Sequence, residues 1–160
     1  MNMPLAADEL HIVRTFDVPA ATLFALWTRA EHLSRWMGAG ASGSSASPSD
    51  VTVDLRVGGA YRARVISATH GENWFHGVYR EIEADRRLVF TFNWDNDGPS
   101  AGIEMIVTIG FEERDGRTIQ TFHQRPFRNA ERRDAHRSGW AGLFDQLAAH
   151  AATVLRESRT

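Results

Sequence analysis

Histidine is the residue type of this chain that most readily suggests chemistry, either as a metal ligand or as a general acid or base. The chain has seven histidines and no cysteine. No two histidines stand in an HxH, HExxH or HxxxH arrangement, the spacings that bring ligands to one metal ion. The absence of cysteine excludes disulfides, thiolate nucleophiles and cysteine-ligated zinc. The spacing therefore predicts no metal site and no cofactor.

A general base for an organic substrate must lie inside a cavity, and His76 and Glu81 are the two candidates. Both lie in NWFHGVYREIE, whose composition and alternation predict a strand. His76 shares one face of that strand with Trp74, and Glu81 shares the opposite face with Tyr79. Either face can be the inner one, because the turn that follows is too long to set the register.

The elements that must position these residues follow one another in a clear order. LHIVRTF predicts a first strand, and DVPAATLFALWT and AEHLSRWM predict two short helices. Asp17 is expected to cap the first of these helices, with Pro19 in its first turn. Residues 51–126 then alternate as six strands: VTVDLRV, AYRARVIS, NWFHGVYREIE, RLVFTFNW, GIEMIVTIGFEE and RTIQTFHQ. One long helix from about Asn129 to Arg156 ends the chain. The order predicts an α+β fold, with the helices on one face of an antiparallel sheet.

One hairpin sets a register that turns two amides inward. Asp115–Gly116 is typical of a two-residue type I′ turn. It places Phe111 opposite Gln120 and Val107 opposite Gln124, so both glutamines share the core face. Two interpretations remain open: Gln120 is simply hydrated near a rim, or both amides line a cavity and bind a polar group or water.

The last helix has an apolar stripe centred on Trp140 and continuing to Leu155. Extended backwards, the same stripe meets His136 and two arginines. Either the helix leaves the sheet there and these residues meet water, or its upper end covers a pocket mouth. On the helical wheel Gly139 flanks the stripe and Gly142 points outward. We therefore expect substitution of Gly139 by a large side chain to harm packing, and Gly142→Ala to be harmless.

Several segments, taken in order, carry a resemblance to a known family. They are RTFDVPAATLFALWT, WM, DLRVGGAY, GVYREI, RLVFTFNW and GWAGLFDQL. They resemble the bacterial proteins similar to the activator of the ninety-kilodalton heat-shock protein ATPase, in the START-like (SRPBCC) superfamily. The resemblance covers roughly residues 9 to 155. It implies the helix-grip fold, a curved seven-stranded antiparallel sheet around a long C-terminal helix with a cavity between them, and it supplies no fixed catalytic set.

The superfamily includes lipid and hormone binders, polyketide aromatase/cyclases and proteins without a known ligand. We therefore expect a small hydrophobic or aromatic molecule to bind in the cavity. The binding residues that we predict are Trp36, Phe90, Phe92, Trp94, Met105, Val107, Gln120, Phe122, Gln124, His136, Trp140 and Phe144. An alternative is a cofactor-independent enzyme of the aromatase/cyclase type that uses His76 or Glu81 as base. A second alternative is a protein-interaction role without a ligand.

Composition limits the other partners. The net charge is −2, which predicts no attraction to nucleic acid or to an anionic membrane, and no apolar run is long enough to span a bilayer. We expect one START-like domain over residues 9–156 with flexible segments at 1–8 and 157–160, in the cytoplasm. GAGASGSSASPSD (residues 38–50) predicts a mobile loop, which the fold would place at the cavity mouth together with the helix ending near Trp36. Whether the protein is a homodimer stays open.

Overall fold

The computed structural model describes residues 8–37, 51–67, 71–95 and 103–158, with the backbone alone at 66, 67, 71 and 72. The predicted mobile loop at 38–50 lies outside the described residues. The elements, in chain order, are β1 (Leu10–Phe16), α1 (Ala20–Thr28), α2 (Ala30–Trp36), β2 (Val51–Val53), β3 (Ala60–Ser67), β4 (Gly71–Glu83), β5 (Arg87–Trp94), β6 (Met105–Arg114), β7 (Arg117–Arg125) and α3 (Ala130–Ser158).

The strands form one seven-stranded antiparallel sheet in the order β1-β7-β6-β5-β4-β3-β2. The sheet is curved, and the three helices pack on it with the apolar core between them, which confirms the predicted α+β helix-grip fold. The predicted stripe of α3 is confirmed as well, with Trp140, Phe144, Leu147 and Ala151 buried. Within the described ranges, no helix is both long and apolar enough to cross a lipid bilayer.

The hairpin between β6 and β7 has the predicted register. Asp115 and Gly116 both have positive φ, at 55° and 79°, as a type I′ turn requires. Phe111 pairs with Gln120 and Val107 with Gln124. Both glutamine side chains therefore enter the core, and their residues are fully buried.

The open question of which face of β4 points inward is answered by Phe75 and Tyr79, which are both buried. His76 points to the outer face of the sheet. Glu81 is on the outer face too, because the pairing of β4 with β5 shifts between Tyr79 and Glu81. A β-bulge of this kind changes the face on which the following residues lie. The expectation that either His76 or Glu81 lies inside the cavity is therefore wrong.

The predicted cap of α1 is also wrong. Pro19 occupies the N-cap position, and no side chain there caps the helix. The free backbone N–H of Ala20 instead donates to a carboxylate oxygen of Glu113 on β6, at 2.8 Å. A carboxylate at a helix N-terminus satisfies an unpaired donor and complements the helix dipole. Asp17 is exposed and lies 3.5 Å from Arg117.

The alternation of VTVDLRV does not continue as a strand beyond Val53. The chain turns there, because the N–H of Arg56 donates to the carbonyl of Asp54 and that of Gly59 to the carbonyl of Arg56. Leu55 and Val57, which alternation had placed in the strand, are exposed at this turn.

The two glycines of α3 differ from the expectation. A Cβ at Gly139 meets no atom within 4 Å, and the same is true at Gly142. The close backbone approach expected at Gly139 is therefore absent, whereas the effect of a large side chain there stays a prediction. Gly77 of β4 is the opposite case, because a Cβ there would lie 1.8 Å from the backbone oxygen of Thr91.

We expect Gly139→Ala and Gly142→Ala each to raise the free energy of unfolding by up to about 1 kcal/mol, since alanine has the higher helix propensity. Gly77→Ala should lower it by at least about 2 kcal/mol, because a backbone clash inside a sheet cannot relax locally. Urea denaturation of the three variants tests this. Equal effects in all three would contradict it.

Candidate functional site

An aromatic cluster fills the space between α1, α3 and the middle of the sheet. Trp27 of α1 lies at its centre, with ring centroids of neighbouring aromatic side chains 4.7 to 6.5 Å away. Those neighbours are Trp36, Phe90, Phe122, Trp140 and Phe144. Offset and edge-to-face contacts of this kind add to the burial of apolar area. This region is a packed core.

The two glutamines of β7 accept hydrogen bonds from two tryptophans of this cluster. The indole N–H of Trp27 donates to Gln120 Oε1 at 2.7 Å, and that of Trp140 donates to Gln124 Oε1 at 2.8 Å. The interpretation in which Gln120 is hydrated near a rim is wrong, because both glutamines are fully buried. Their oxygens satisfy the buried indoles.

The amide nitrogens of the two glutamines have different environments. Gln124 Nε2 donates weakly to the sulfur of Met105 at 3.5 Å. Gln120 Nε2 is buried and has no hydrogen-bond partner among the described residues. The amide cannot be flipped to remedy this, since the indole of Trp27 needs the oxygen as its acceptor.

At the upper end of α3, His136 packs against the sheet instead of leaving it. Its Nε2 accepts the indole N–H of Trp94 at 3.0 Å, and its Nδ1 donates to the carbonyl of Arg132 at 3.1 Å. The ring of Phe127 lies 4.9 Å away between centroids. The interpretation in which this end of the helix simply meets water is thus wrong for His136, although Arg137 beside it is exposed.

A small apolar cavity lies beside the aromatic cluster, between α2 and the strands β3 to β5. Its lining residues are Trp27, Leu33, Met37, Tyr61, Phe75, Tyr79 and Phe90. The centre of a water molecule can occupy about 20 Å³ of it. That volume holds about one water molecule and is too small for an organic ligand with the walls in their present position.

Both tyrosines of the chain are among the lining residues. The Tyr61 hydroxyl donates to the backbone oxygen of Thr91 at 2.6 Å. The Tyr79 hydroxyl has no hydrogen-bond partner among the described residues. Burial raises the pKa of both phenols well above the ordinary tyrosine value. Both groups therefore remain neutral hydrogen-bond donors over the physiological range of pH.

Phe90 is the predicted binding residue that the structure places on this wall. The other predicted residues belong to the packed core around it: Trp36, Phe92, Trp94, Met105, Val107, Gln120, Phe122, Gln124, His136, Trp140 and Phe144. The sequence did not single out the other six lining residues as binding residues: Trp27, Leu33, Met37, Tyr61, Phe75 and Tyr79. A usable signal was present, because the two tyrosines of the chain and Phe75 stand in two consecutive predicted strands of alternating pattern.

The two catalytic candidates form ion pairs on the outer surface of the sheet. His76 Nδ1 lies 2.6 Å from Asp95, which also accepts from Arg62 at 2.6 Å. Burial alone would raise the pKa of Asp95, but the hydrogen bonds from Arg62 and His76 outweigh it and the pKa is lowered. Glu81 lies 3.1 Å from Arg87. Among the described side chains, no group of three or more histidines and carboxylates could hold a metal ion.

The two glutamines provide a matched test of these contacts. Gln124→Leu leaves the indole N–H of Trp140 without its acceptor, which should lower the free energy of unfolding by about 1–3 kcal/mol. Gln120→Leu leaves the indole of Trp27 unpaired but also removes a buried unpartnered amide, so it should cost about 1 kcal/mol less. Chemical denaturation measures both. If Gln120→Leu lowers the free energy of unfolding as much as Gln124→Leu or more, the description of Gln120 Nε2 as a buried amide without a partner is contradicted.

Solved structures with the same fold share low sequence identity with this chain. A protein from Rhodobacter sphaeroides is 20% identical with a TM-score of 0.73, and 97% of each chain is covered. A protein from Chromobacterium violaceum is 22% identical with a TM-score of 0.71, covering 89% of this chain and 96% of its own. DynU16, from the dynemicin biosynthetic locus, is 16% identical with a TM-score of 0.71, covering 91% of this chain and 48% of its own.

A search of curated protein sequences finds no match to this chain. The sequence pattern of one family, described as Activator of Hsp90 ATPase homolog 1-like protein, matches residues 17–152. The match runs from the start of α1 through most of α3 and includes every strand except β1. The chain therefore belongs to the family of activator of Hsp90 ATPase homolog 1-like proteins, as its segments had suggested.

Proposed function

We propose that this protein binds a small, planar, largely apolar molecule with one hydrogen-bonding group in the cavity between α2 and the strands β3 to β5. The observation that carries the proposal is the composition of the wall: five of its seven side chains are aromatic, and one of these five, Tyr79, has a hydroxyl without a hydrogen-bond partner among the described residues. Mostly apolar walls with a few convergent polar groups are typical of small-molecule sites. Membership of the family supports a ligand-binding fold.

The ligand has to displace part of the wall, because the present cavity is much smaller than an aromatic ring. α2 is the element best suited to move. It is seven residues long, its last turn leads into Met37 on the wall, and it carries Leu33 there as well. Methionine adapts readily to different neighbours, since its side chain is unbranched and flexible. The sheet side of the wall is held by strand pairing on both edges of β4.

Binding without catalysis is the function that this wall supports best. Its described residues include no imidazole and no carboxylate. Burial raises the pKa of both phenols, so they stay protonated near neutral pH and offer no base. The aromatase/cyclase alternative loses both of its proposed bases, because His76 and Glu81 lie on the outer face of the sheet. The following experiment also tests the second alternative, a protein-interaction role without a ligand.

2-Naphthol is a suitable probe, since it is planar, apolar and has a single hydroxyl. We expect it to bind and to shift the indole N–H signal of Trp27 in a two-dimensional NMR spectrum. The signal of the surface residue Trp74 should stay in place. Tyr79→Phe should weaken binding about three- to tenfold, the effect of one lost hydrogen bond of about 1 kcal/mol.

Tyr61→Phe is the matched control, because it removes the other hydroxyl of the same wall. That hydroxyl is already bonded to Thr91, so its loss should lower the free energy of unfolding by about 1–3 kcal/mol and leave the affinity for 2-naphthol unchanged. No shift of the Trp27 signal at millimolar probe would refute the proposed function and favour a role without a ligand in this cavity.

A further inference from the structure

A hydrogen bond between two imidazoles joins the movable wall of the cavity to the long helix. His32 Nδ1 of α2 lies 3.0 Å from His150 Nε2 of α3, with the ring centroids 5.2 Å apart. Both residues are half-buried. The bond needs one ring to donate and the other to accept, so at least one ring must be unprotonated at the contact. Two protonated rings offer donors alone and repel each other.

His32 lies on the same helix as two residues that line the cavity. The residue after it, Leu33, lines the cavity, and Met37 lines it at the end of the same helix. On its other side α2 is tied to α1, where the indole of Trp36 donates to the backbone oxygen of Leu26 at 2.9 Å. Loss of the imidazole contact therefore weakens the side of α2 that faces α3 and leaves its contacts with α1 and β2 in place.

Charges of both signs surround the pair. They come from the residue before α2, from α2 itself and from the end of α3: Arg29, Glu31, Arg35 and Glu157. The other elements that pack on α2, namely α1 and β2, contain no titratable side chain. Burial is the largest influence and lowers the pKa of both histidines; the arginines act in the same direction and the glutamates oppose it.

We propose that the His32–His150 pair is a proton-sensitive latch, which holds α2 against α3 when at least one ring is neutral and releases α2 when both rings are protonated. This regulation rests on the proposed function, since the wall that it frees belongs to the proposed binding cavity. Release lowers the free energy needed to move Leu33 and Met37 aside. A ligand that requires the open wall then binds more tightly at acidic pH.

The sign of the pH dependence follows from the lowered pKa values. As the pH falls below the ordinary histidine value of 6.5, the unfolded chain takes up protons on these rings before the folded chain does. The contribution of the pair to stability is therefore complete above that pH and is lost below it. The two rings titrate as a coupled pair.

Hydrogen exchange of the full chain at about pH 7.5 and about pH 5 tests the latch directly. After correction for the intrinsic pH dependence of exchange, the amides of α2 should exchange at least about tenfold faster at the lower pH, while those of β6 and β7 stay protected. Exchange of α2 that is the same at both pH values would overturn the latch.

A double variant separates titration from hydrogen bonding. His32→Asn with His150→Gln places amides near the positions of Nδ1 and Nε2, so the contact can persist without a titrating group. The matched control is His11→Asn with His123→Gln, which alters the facing histidines of β1 and β7. We expect the pH response of α2 to vanish in the first variant and to remain in the second. If α2 of the His32/His150 variant still exchanges faster at the lower pH, as in the native protein, the latch is overturned.

Titration with 2-naphthol at the two pH values completes the test. The dissociation constant should fall at least about threefold at the lower pH in the native protein and in the His11/His123 control, and should stay constant in the His32/His150 variant. Binding at both pH values with no such change refutes the latch and leaves the proposed function standing. A pH-dependent exchange of α2 without any binding of 2-naphthol refutes the proposed function and supports the latch.

Discussion

Two buried hydrogen bonds from an indole to a carboxamide hold the helices of this protein to its sheet. Trp27 of α1 and Trp140 of α3 donate to Gln120 and Gln124, which lie on the same face of β7. Apolar surfaces can slide past each other at little cost, whereas a buried donor must keep its acceptor. These two directional contacts therefore fix where each helix sits along the strand, and the aromatic rings pack into the space that this placement defines.

The same arrangement separates the molecule into a packed half and an adaptable half. On the packed half, the amide oxygens of Gln120 and Gln124 accept from tryptophans, and His136 of α3 accepts from Trp94. On the other half of the sheet, strands β3 to β5 meet the short helix α2, and the wall there keeps the hydroxyl of Tyr79 available. Adaptation to a ligand is thus concentrated where the structure has a short helix and few polar constraints.

Local patterns in the sequence predict most of this fold. Asp115–Gly116 sets the register of β6 and β7, and that register alone places Gln120 and Gln124 in the core. The partners of those amides could not be predicted, because Trp27 is 93 residues from Gln120 and no periodicity links them. Which face of β4 points inward could not be predicted for a similar reason, since the bulge after Tyr79 depends on the path of β5. The cap of α1 could not be predicted either. The local sequence offers Asp17, whereas the N–H of Ala20 donates to Glu113, which is remote in the sequence.

The cap from Glu113 and the pairing of β1 with β7 also determine when the protein can fold. Thr118 donates to the carbonyl of Val18, 100 residues earlier, so the first strand has no partner strand, and the first helix lacks its contacts with β6 and β7, until the last hairpin has been synthesised. At about 5–20 residues per second, that interval lasts roughly 5–20 s on the ribosome. During it, Leu10, Phe16 and Trp27, which are buried in the native state, have no sheet to cover them. The N-terminal segment is consequently the part of the nascent chain most exposed to aggregation or to capture by a chaperone.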